Sequence, residues 1–97
     1  MAEIFSIAIF ETVDGQEAEA LATLRDFFSV LAAKEYSRDS LHRNATPPHH
    51  HVLLRHWRSE EARRSALEDP ELQKFWARLG NLIRIVTIYE TLVDETA

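Results

Sequence analysis

The residues best suited to do chemistry in this chain are its five histidines, all of which lie between positions 42 and 56. Three of them, His49, His50 and His51, are consecutive, and the segment ends in Trp57. Imidazole changes charge near neutral pH, so it can act as a general base, and it is also a common metal ligand. We therefore expect a functional site to involve this segment.

A metal site built from these histidines is limited by strand geometry. Side chains alternate along a strand, which would place His49 and His51 on one face and His50 on the other. At about 3.3 Å per residue, His50 and His56 would stand roughly 20 Å apart. The sequence therefore predicts no metal site. A weaker cross-hairpin pair, such as His42 with His50, stays open, as does a joint role of the histidines in sensing pH.

Size and charge narrow the class of protein. With 97 residues the chain is expected to form one domain over residues 1–97. The formal charge of −5 argues against a nucleic-acid partner, because binding phosphates requires a concentrated basic face. There is no cysteine for a disulfide or a thiolate site, and the first residues resemble neither a signal peptide nor a membrane span. We expect a cytoplasmic protein with no membrane partner.

Hydrophobic periodicity divides the chain into four strands and three helices. Leucine and phenylalanine recur at three- and four-residue spacing after Asp14-Gly15, which is expected to supply a turn and a helix cap. Paired prolines at 47 and 48 suit a hairpin loop, and Ser59 and Asp69 are expected to cap two short helices. The predicted strands are 3–12, 36–43, 49–58 and 82–93, and the predicted helices are 17–34, 60–67 and 70–79.

The order β-α-β-β-α-α-β predicts an α+β, ferredoxin-like fold with a four-stranded antiparallel sheet and the helices on one face. The other face would then lie open. The first and last strands are nevertheless apolar on both sides, the last with Val86 and Ile88 on one side and Ile83, Ile85 and Tyr89 on the other. A monomer rarely leaves so large an apolar surface exposed, so we expect a homodimer through the open sheet face.

Three charged residues, Glu11, Arg55 and Glu90, lie within otherwise apolar strands. An unpaired charge in such a position would be expensive to bury. We expect each of them to form a salt bridge across the sheet or across the dimer interface.

Three passages of the chain carry a family resemblance: VLLRHWRSEEA at 52–62, DPELQKF at 69–75 and VTIYETL at 86–92. With them the chain resembles the antibiotic biosynthesis monooxygenase family of the dimeric α/β-barrel superfamily, over nearly its whole length. The resemblance implies a barrel formed by two subunits. Members of the family include quinone-forming oxygenases, haem-degrading enzymes and proteins with no assigned reaction, so the fold does not choose among activities.

The quinone-forming members oxygenate phenols or anthrones with dioxygen, without metal or flavin, in a cavity between the helices and the sheet. By resemblance, His42 is the candidate catalytic base and Trp57 a candidate substrate-binding residue. Three further candidate substrate-binding positions, Leu53, Arg63 and Trp76, hold other residue types than the family's asparagine, tyrosine and arginine. The resemblance thus implies a cofactor-independent monooxygenase acting on a small aromatic or polyketide-like phenol, quinol or anthrone.

The haem-degrading members resemble this chain less. Where they have a tryptophan, a histidine ligand and an asparagine, the chain has Ala66, Trp76 and Ile9. Without an axial histidine on the helix nothing obvious would hold haem iron from that side. No cofactor is therefore expected.

A non-catalytic dimeric module that binds a small apolar ligand is the alternative function. In that interpretation His42 is a hydrogen-bonded residue at a strand end, and Trp57 and Trp76 are packing residues of the core or the interface. An open pocket with His42 and Trp57 in its wall would favour the enzyme, whereas a closed and well-packed space would favour the module.

Overall fold

Four strands and three helices make up the computed structural model, which describes residues 4–96. The elements are β1 (Ile4–Thr12), α1 (Glu17–Ala33), β2 (Ser37–Arg43), β3 (His51–Trp57), α2 (Glu60–Glu68), α3 (Pro70–Leu79) and β4 (Ile83–Val93). The strands form one antiparallel sheet in the order β2-β3-β1-β4. The predicted α+β, ferredoxin-like fold is confirmed; residue 3, the expected start of the first strand, lies outside the described residues.

The helix ends follow local capping chemistry. Ser59 accepts a hydrogen bond from the Ala62 backbone N–H at 2.9 Å, and Asp69 caps α3 by accepting one from Glu71, with proline at the first turn of that helix. Gly15 has a φ of +79°, as expected for a turn that favours glycine. The cap predicted from Asp14-Gly15 is wrong, because the N-cap residue of α1 is Gln16, whose side chain makes no capping hydrogen bond.

The β2–β3 hairpin has a longer loop than predicted. His49 and His50 belong to this loop and not to β3, because the β2–β3 ladder ends at the Arg43–His51 pair, two residues inside the predicted strand. The loop is closed by backbone hydrogen bonds from Asn44 to His50 and from His50 to Pro48. Only His51, His56 and His42 among the histidines therefore lie on strands.

One face of the sheet packs against the helices. Phe10, Leu53 and Trp57 from this face join residues of all three helices in a single buried cluster, completed by Leu24, Phe27, Leu31, Ala66, Leu72 and Leu79. Their neighbours along the strands, including Phe5, Ile7 and Leu54, point the other way, since side chains alternate. This second, open sheet face also carries His56, whose ring stacks on Phe5 at 5.4 Å.

The last strand does not keep a strict alternation. The register between β1 and β4 shifts twice, between Phe5 and Ile7 and between Ile9 and Phe10. As a result Ile85 pairs with Phe10 and Ile88 pairs with Ala8, so both lie on the helix side. Strict alternation along the strand predicted that Ile85 and Ile88 lie on opposite faces of the sheet. That prediction is wrong, because a register shift moves side chains to the opposite face.

Two of the three charged strand residues have the ion pairs that were expected. Arg55 pairs with Asp39 of the neighbouring strand at 2.9 Å, and Glu11 lies 3.3 Å from Arg84 across β1 and β4.

Between residues 4 and 96 no helix is long and apolar enough to cross a membrane.

Candidate functional site

A cavity of about 320 Å³ lies between the helix side of the sheet and the helices. This volume is at the lower end of the range of about 300–1,000 Å³ that is typical of small-molecule pockets. Most of the wall is apolar, from α1, α3, β1, β3 and β4: Ala8, Phe10, Leu24, Phe27, Leu53, Leu79, Ile83, Ile85 and Ile88. The cavity is therefore suited to a small, flat and largely apolar molecule.

Aromatic rings form part of this wall. Phe27 stacks on Phe75 with ring centres 5.0 Å apart, and it meets Trp76 edge to face at 5.4 Å. Trp76 and Trp57 both line the cavity, from α3 and from the end of β3. Rings held in this way can pack against an aromatic ligand, because stacked and edge-to-face contacts are both favourable.

A buried cation interrupts the apolar wall. Arg55 follows Leu53 by two residues on β3, so its side chain lies on the same face and also lines the cavity. Only 7% of the residue is exposed. Its guanidinium carbon lies 4.8 Å from the centre of the Phe27 ring and 5.5 Å from that of Trp57, within the range of cation–π contacts.

Asp39 is the counterion of this cation. It stands opposite Arg55 on β2, and its side chain is fully buried. Arg55 Nε donates to Asp39 Oδ2 at 2.9 Å, while Ser37 Oγ donates to the other carboxylate oxygen at 3.0 Å. Burial raises the pKa of Asp39 and lowers the pKa of Arg55, and the attraction between the two groups offsets part of each shift.

The pairing leaves hydrogen-bonding capacity on Arg55. Its Nη2 nitrogen lies 2.9 Å from Asp39 Oδ2, but the angle does not make a hydrogen bond, and this buried nitrogen has no other acceptor. Buried donors without an acceptor are rare in native structures and often mark functional sites. A ligand oxygen that approached the guanidinium from the cavity would meet a cation whose donors Asp39 does not fully use.

A short polar chain lies beside the cation. Trp57 Nε1 donates to Ser6 Oγ at 2.8 Å, and Ser6 Oγ in turn donates to the backbone carbonyl of Glu90. Ser6 pairs with Arg55 across β1 and β3 and sits at one of the register shifts against β4. The shift lets the hydroxyl reach the Glu90 carbonyl, which fixes the orientation of the Trp57 indole in the wall.

Two further charged residues line the cavity. Arg63, on α2, donates to both oxygens of Glu60, at 3.1 and 2.9 Å, and Glu90 lies on β4. The hydrogen bonds that Arg63 donates to Glu60, with a further contribution from the negative charge of Glu90, raise the pKa of Arg63. Arg63 is thus a cation that is already paired with carboxylates.

The four candidate substrate-binding residues come together in this one cavity. Leu53 and Trp57 enter it from β3, Arg63 from α2 and Trp76 from α3, although they are far apart in sequence. Arg55 and Ser6 also line this cavity, although neither was predicted as a site residue. The sequence did contain a signal for Arg55, because this charged residue lies between Leu53 and Trp57 at two-residue spacing, on the same buried face of a strand.

The candidate base, His42, is not part of this constellation. It pairs with Val52 across β2 and β3, whereas its neighbour Leu41 pairs with Leu53 on the helix side. His42 therefore lies on the open sheet face, where it is exposed and its Nε2 is 3.1 Å from Ser40 Oγ. The sequence alone could not show this, because the face of a strand residue depends on the register of the sheet.

The other histidines have structural contacts. The ring of His51 stacks on Phe10 with centres 5.3 Å apart and lies 3.7 Å from Glu17, and His50 lies 4.0 Å from Glu11. Within residues 4–96, no three histidine, aspartate or glutamate side chains are grouped so that they could hold a metal ion.

A second depression, of about 670 Å³, lies at the edge formed by the end of β3 and the start of α2. It is wider and more open than the cavity, and exposed residues such as Glu35, Arg38 and Arg58 line it. The partly enclosed cavity is the better candidate site for an aromatic ligand, since it removes more of the ligand surface from water.

This chain is similar in structure to known proteins but not close to them in sequence. No family model matches the chain, and no curated protein matches it significantly. Among solved structures, a single-residue mutant of SnoaB, a cofactor-independent oxygenase from Streptomyces nogalater, has a TM-score of 0.83 at 21% identity, with 98% of this chain and 95% of that chain covered.

Two further structures show the same likeness. A candidate antibiotic biosynthesis monooxygenase from Chloroflexus aurantiacus has a TM-score of 0.77 at 18% identity, covering 98% of this chain and 95% of that one. Rv0793 from Mycobacterium tuberculosis has a TM-score of 0.74 at 21% identity, covering 98% and 99%. The chain therefore has the fold of these proteins, and its resemblance to the antibiotic biosynthesis monooxygenases is confirmed at the level of the fold.

Proposed function

We propose that this protein is a cofactor-independent monooxygenase that acts on a small aromatic or polyketide-like phenol, quinol or anthrone with dioxygen. The observation that carries the proposal is the partly enclosed apolar cavity with aromatic walls and one buried cation, Arg55. It occurs on the fold that the chain shares with SnoaB, a cofactor-independent oxygenase.

The chemistry requires little from the protein beyond this environment. When an anthrone becomes a quinone, its methylene group and dioxygen give a carbonyl group and one molecule of water. The substrate supplies all the electrons, so no external reductant is needed. The protein must bind the flat substrate, favour its electron-rich anion and keep bulk water from the reacting carbon.

The cavity is suited to these tasks. Its apolar wall removes a ring system from water, and the indoles of Trp57 and Trp76 give it flat surfaces to pack against. Leu67, Ile85 and Ile88 line the cavity and are each about half exposed in the isolated chain. The substrate would enter along these apolar side chains.

His42 has no direct role in this arrangement, because it faces away from the cavity. Its role as a base stays a prediction that the variant His42→Ala can test. A drop in the rate of oxygenation would mean that substrate binds on the open sheet face, whereas an unchanged rate would leave the cavity as the site.

We further propose that the protein is a homodimer through the open sheet face. This face carries Phe5, Ile7, Val52 and Leu54 from the central strands, all of them partly exposed in the isolated chain, and Tyr89, which is 51% exposed. A second copy of the same face would cover these side chains and leave both cavities on the outside of the paired sheets. Two subunits joined in this way would form the barrel that the resemblance implies.

The dimer can be tested by light scattering on the purified protein. We expect a mass twice the 11.2 kDa of one chain. Ile7→Glu places a charge at the centre of the open face, since Ile7 pairs with Leu54 and Tyr89, and should yield monomers. Ser29→Glu adds the same charge on the exposed side of α1 and should leave the dimer intact. A monomeric native protein would contradict the proposal.

The enzymatic proposal is tested by dioxygen uptake with a panel of anthrones and naphthols. Native protein should consume dioxygen and form the quinone, whereas Ala8→Phe, which fills the cavity between Leu53 and Ile88, should abolish uptake while the protein stays folded. Uptake that is equal in the two proteins would place the reaction outside the cavity.

The second candidate function is a non-catalytic module that binds a small apolar ligand. It is favoured by Leu53 and Arg63, which stand where quinone-forming relatives are expected to have asparagine and tyrosine. Binding of naphthols that is lost in Ala8→Phe, without dioxygen uptake by the native protein on any compound of the panel, would support this function in place of the enzyme.

A further inference from the structure

In the buried ion pair of Arg55 and Asp39, the guanidinium contacts only one of the two carboxylate oxygens. A guanidinium carries five N–H donors and can bind a carboxylate with two parallel hydrogen bonds, one to each oxygen. Here Nε and Nη2 both lie 2.9 Å from the same oxygen of Asp39, and Ser37 donates to the other oxygen. The carboxylate therefore balances the charge of Arg55 but does not use its donors fully.

The unsatisfied donor is held in place. The guanidinium lies against the rings of Phe27 and Trp57, at 4.8 and 5.5 Å from their centres, and Nη2 is buried without a hydrogen bond. Because Arg55 is only 7% exposed and lines the cavity, water does not screen its charge well. A cation in such a place acts strongly on whatever enters the cavity.

We propose that Arg55 is the anion-binding residue of the cavity and that the ligands of this protein are small aromatic compounds with an acidic hydroxyl group, bound as their oxyanions. The oxyanion accepts a hydrogen bond from Arg55, and its ring occupies the apolar space between the sheet and α3. This inference rests on the proposed function for the reaction that follows binding, but not for the binding itself.

The step that Arg55 favours is ionisation of the ligand. The hydroxyl O–H bond breaks, the electron pair stays on the oxygen beside the guanidinium, and the proton passes to solvent water. An opposite charge at contact distance typically lowers the pKa of an acid by about 1–3 units. The anion is also the form that can pass an electron to dioxygen. Arg55 thus promotes loss of the hydroxyl proton, which in other enzymes is the task of a general base.

Arg63 is the competing cation, and its surroundings make it the weaker choice. It donates two hydrogen bonds to Glu60 and is further balanced by Glu90, the acidic residue that lines the cavity on β4. An anion at Arg63 would compete with the two carboxylates that balance it, whereas the direct partner of Arg55 is Asp39 alone, whose oxygens both already accept hydrogen bonds.

The test uses 4-nitrophenol, a probe whose phenolate absorbs visible light and whose phenol does not, with 4-nitroanisole as a control of similar shape that cannot ionise. The pKa of the probe is measured by absorbance titration, free and bound to saturating native protein. We expect it to fall by about one unit or more on binding, which equals a tenfold or greater preference for the phenolate.

The variants separate this role from a structural one. Arg55→Met with Asp39→Asn removes both charges, so it avoids an unpaired buried carboxylate. It should still bind 4-nitroanisole but no longer lower the pKa of 4-nitrophenol. Asp39→Asn alone keeps the cation without its counterion and should lower the pKa of the probe further than native protein does. Arg63→Met should leave the lowered pKa in place.

The outcomes can be told apart from those of the enzymatic proposal, because the probe requires no turnover. A lowered pKa that disappears in the double variant supports the assignment of Arg55 even if dioxygen uptake is never found. An unchanged pKa in native protein with bound probe, or a lowered pKa that persists in the double variant or disappears in Arg63→Met, would overturn it, even if the protein proves to be an oxygenase.

Discussion

The Arg55–Asp39 pair provides the strongest prediction about stability. The perturbation is the replacement of Arg55 by methionine, which keeps an unbranched apolar stem but removes the charge and its contacts with Phe27 and Trp57. The carboxylate of Asp39, which is fully buried in the native protein, is then left without its counterion. Ser37 remains as its only hydrogen-bond donor within residues 4–96.

The expected loss in the free energy of unfolding follows from the burial of both partners. Removing one member of a buried ion pair costs about 3–5 kcal/mol, because the other charge stays out of water and uncompensated. A domain of this size has a free energy of unfolding of about 5–15 kcal/mol. Arg55→Met should therefore lose a large share of the stability, whereas Asp39→Leu combined with it should recover most of the loss, since two apolar residues need no partner.

The assay is urea unfolding of native protein, the two single variants and the double variant, arranged as a double-mutant cycle. Arg58→Met is the matched control, because the Arg58–Glu35 pair has a similar distance, 3.1 Å, but side chains that are 65% and 74% exposed. Such surface pairs contribute about 0–1 kcal/mol. We expect the loss in Arg55→Met to exceed that in Arg58→Met several-fold.

Acidification gives a second readout of the same variant. In Arg55→Met the pKa of Asp39, already raised by burial in the native protein, loses the attraction that offsets part of this rise. A raised pKa in the folded state means that the folded protein takes up the proton more readily, so stability increases as the pH falls. Losses that simply add in the double variant, or a loss in Arg55→Met no larger than in Arg58→Met, would refute the reasoning.

Three further predictions concern other parts of the fold. Lys34 and Tyr36 hold the pKa of Asp69 below its usual value of 3.8, so this carboxylate stabilises the fold above that pH and the contribution is lost as the pH falls through the lower folded-state pKa; Asp69→Asn should thus lower the melting temperature at pH 7 but have little effect near pH 2. Ser59→Ala should cost about 1 kcal/mol in urea unfolding, since it removes the cap of α2, and Ser59→Asn should restore most of it. Phe27→Ala should cost about 3–5 kcal/mol and weaken binding of naphthols measured by calorimetry, because Phe27 is 1% exposed and lines the cavity; an unchanged affinity would contradict the place of its ring in the site.

Much of the fold follows from patterns that lie within single segments. The spacing of Leu24, Phe28 and Leu31 predicts α1, and Ser59 and Asp69 predict the starts of the two later helices, because capping depends on residues only a few positions apart. The hairpin loop was placed less well. Its length depends on hydrogen bonds between Asn44, His50 and Pro48 that only the folded loop makes.

The candidate site, too, was predictable from the sequence only in part. Trp57, Leu53, Arg63 and Trp76 were selected by resemblance, and the structure places all four in one wall. His42 was selected in the same way but lies on the other side of the sheet. Arg55 could be recognised as a charge in an apolar strand, yet its role needed the position of Asp39 and of two rings from distant parts of the chain.

The sequence by itself determined the order and type of the elements, the α+β class and the apolar character of both sides of the first strand, because these depend on local periodicity and on composition. Tertiary structure alone decided which face each strand residue occupies, since a shift of one residue in register, as at Ser6 in β1, moves the following side chains to the other side. It also decided that the one buried cation of the described cavity wall keeps a donor free, because hydrogen-bond geometry depends on fractions of an ångström that no spacing in a sequence encodes.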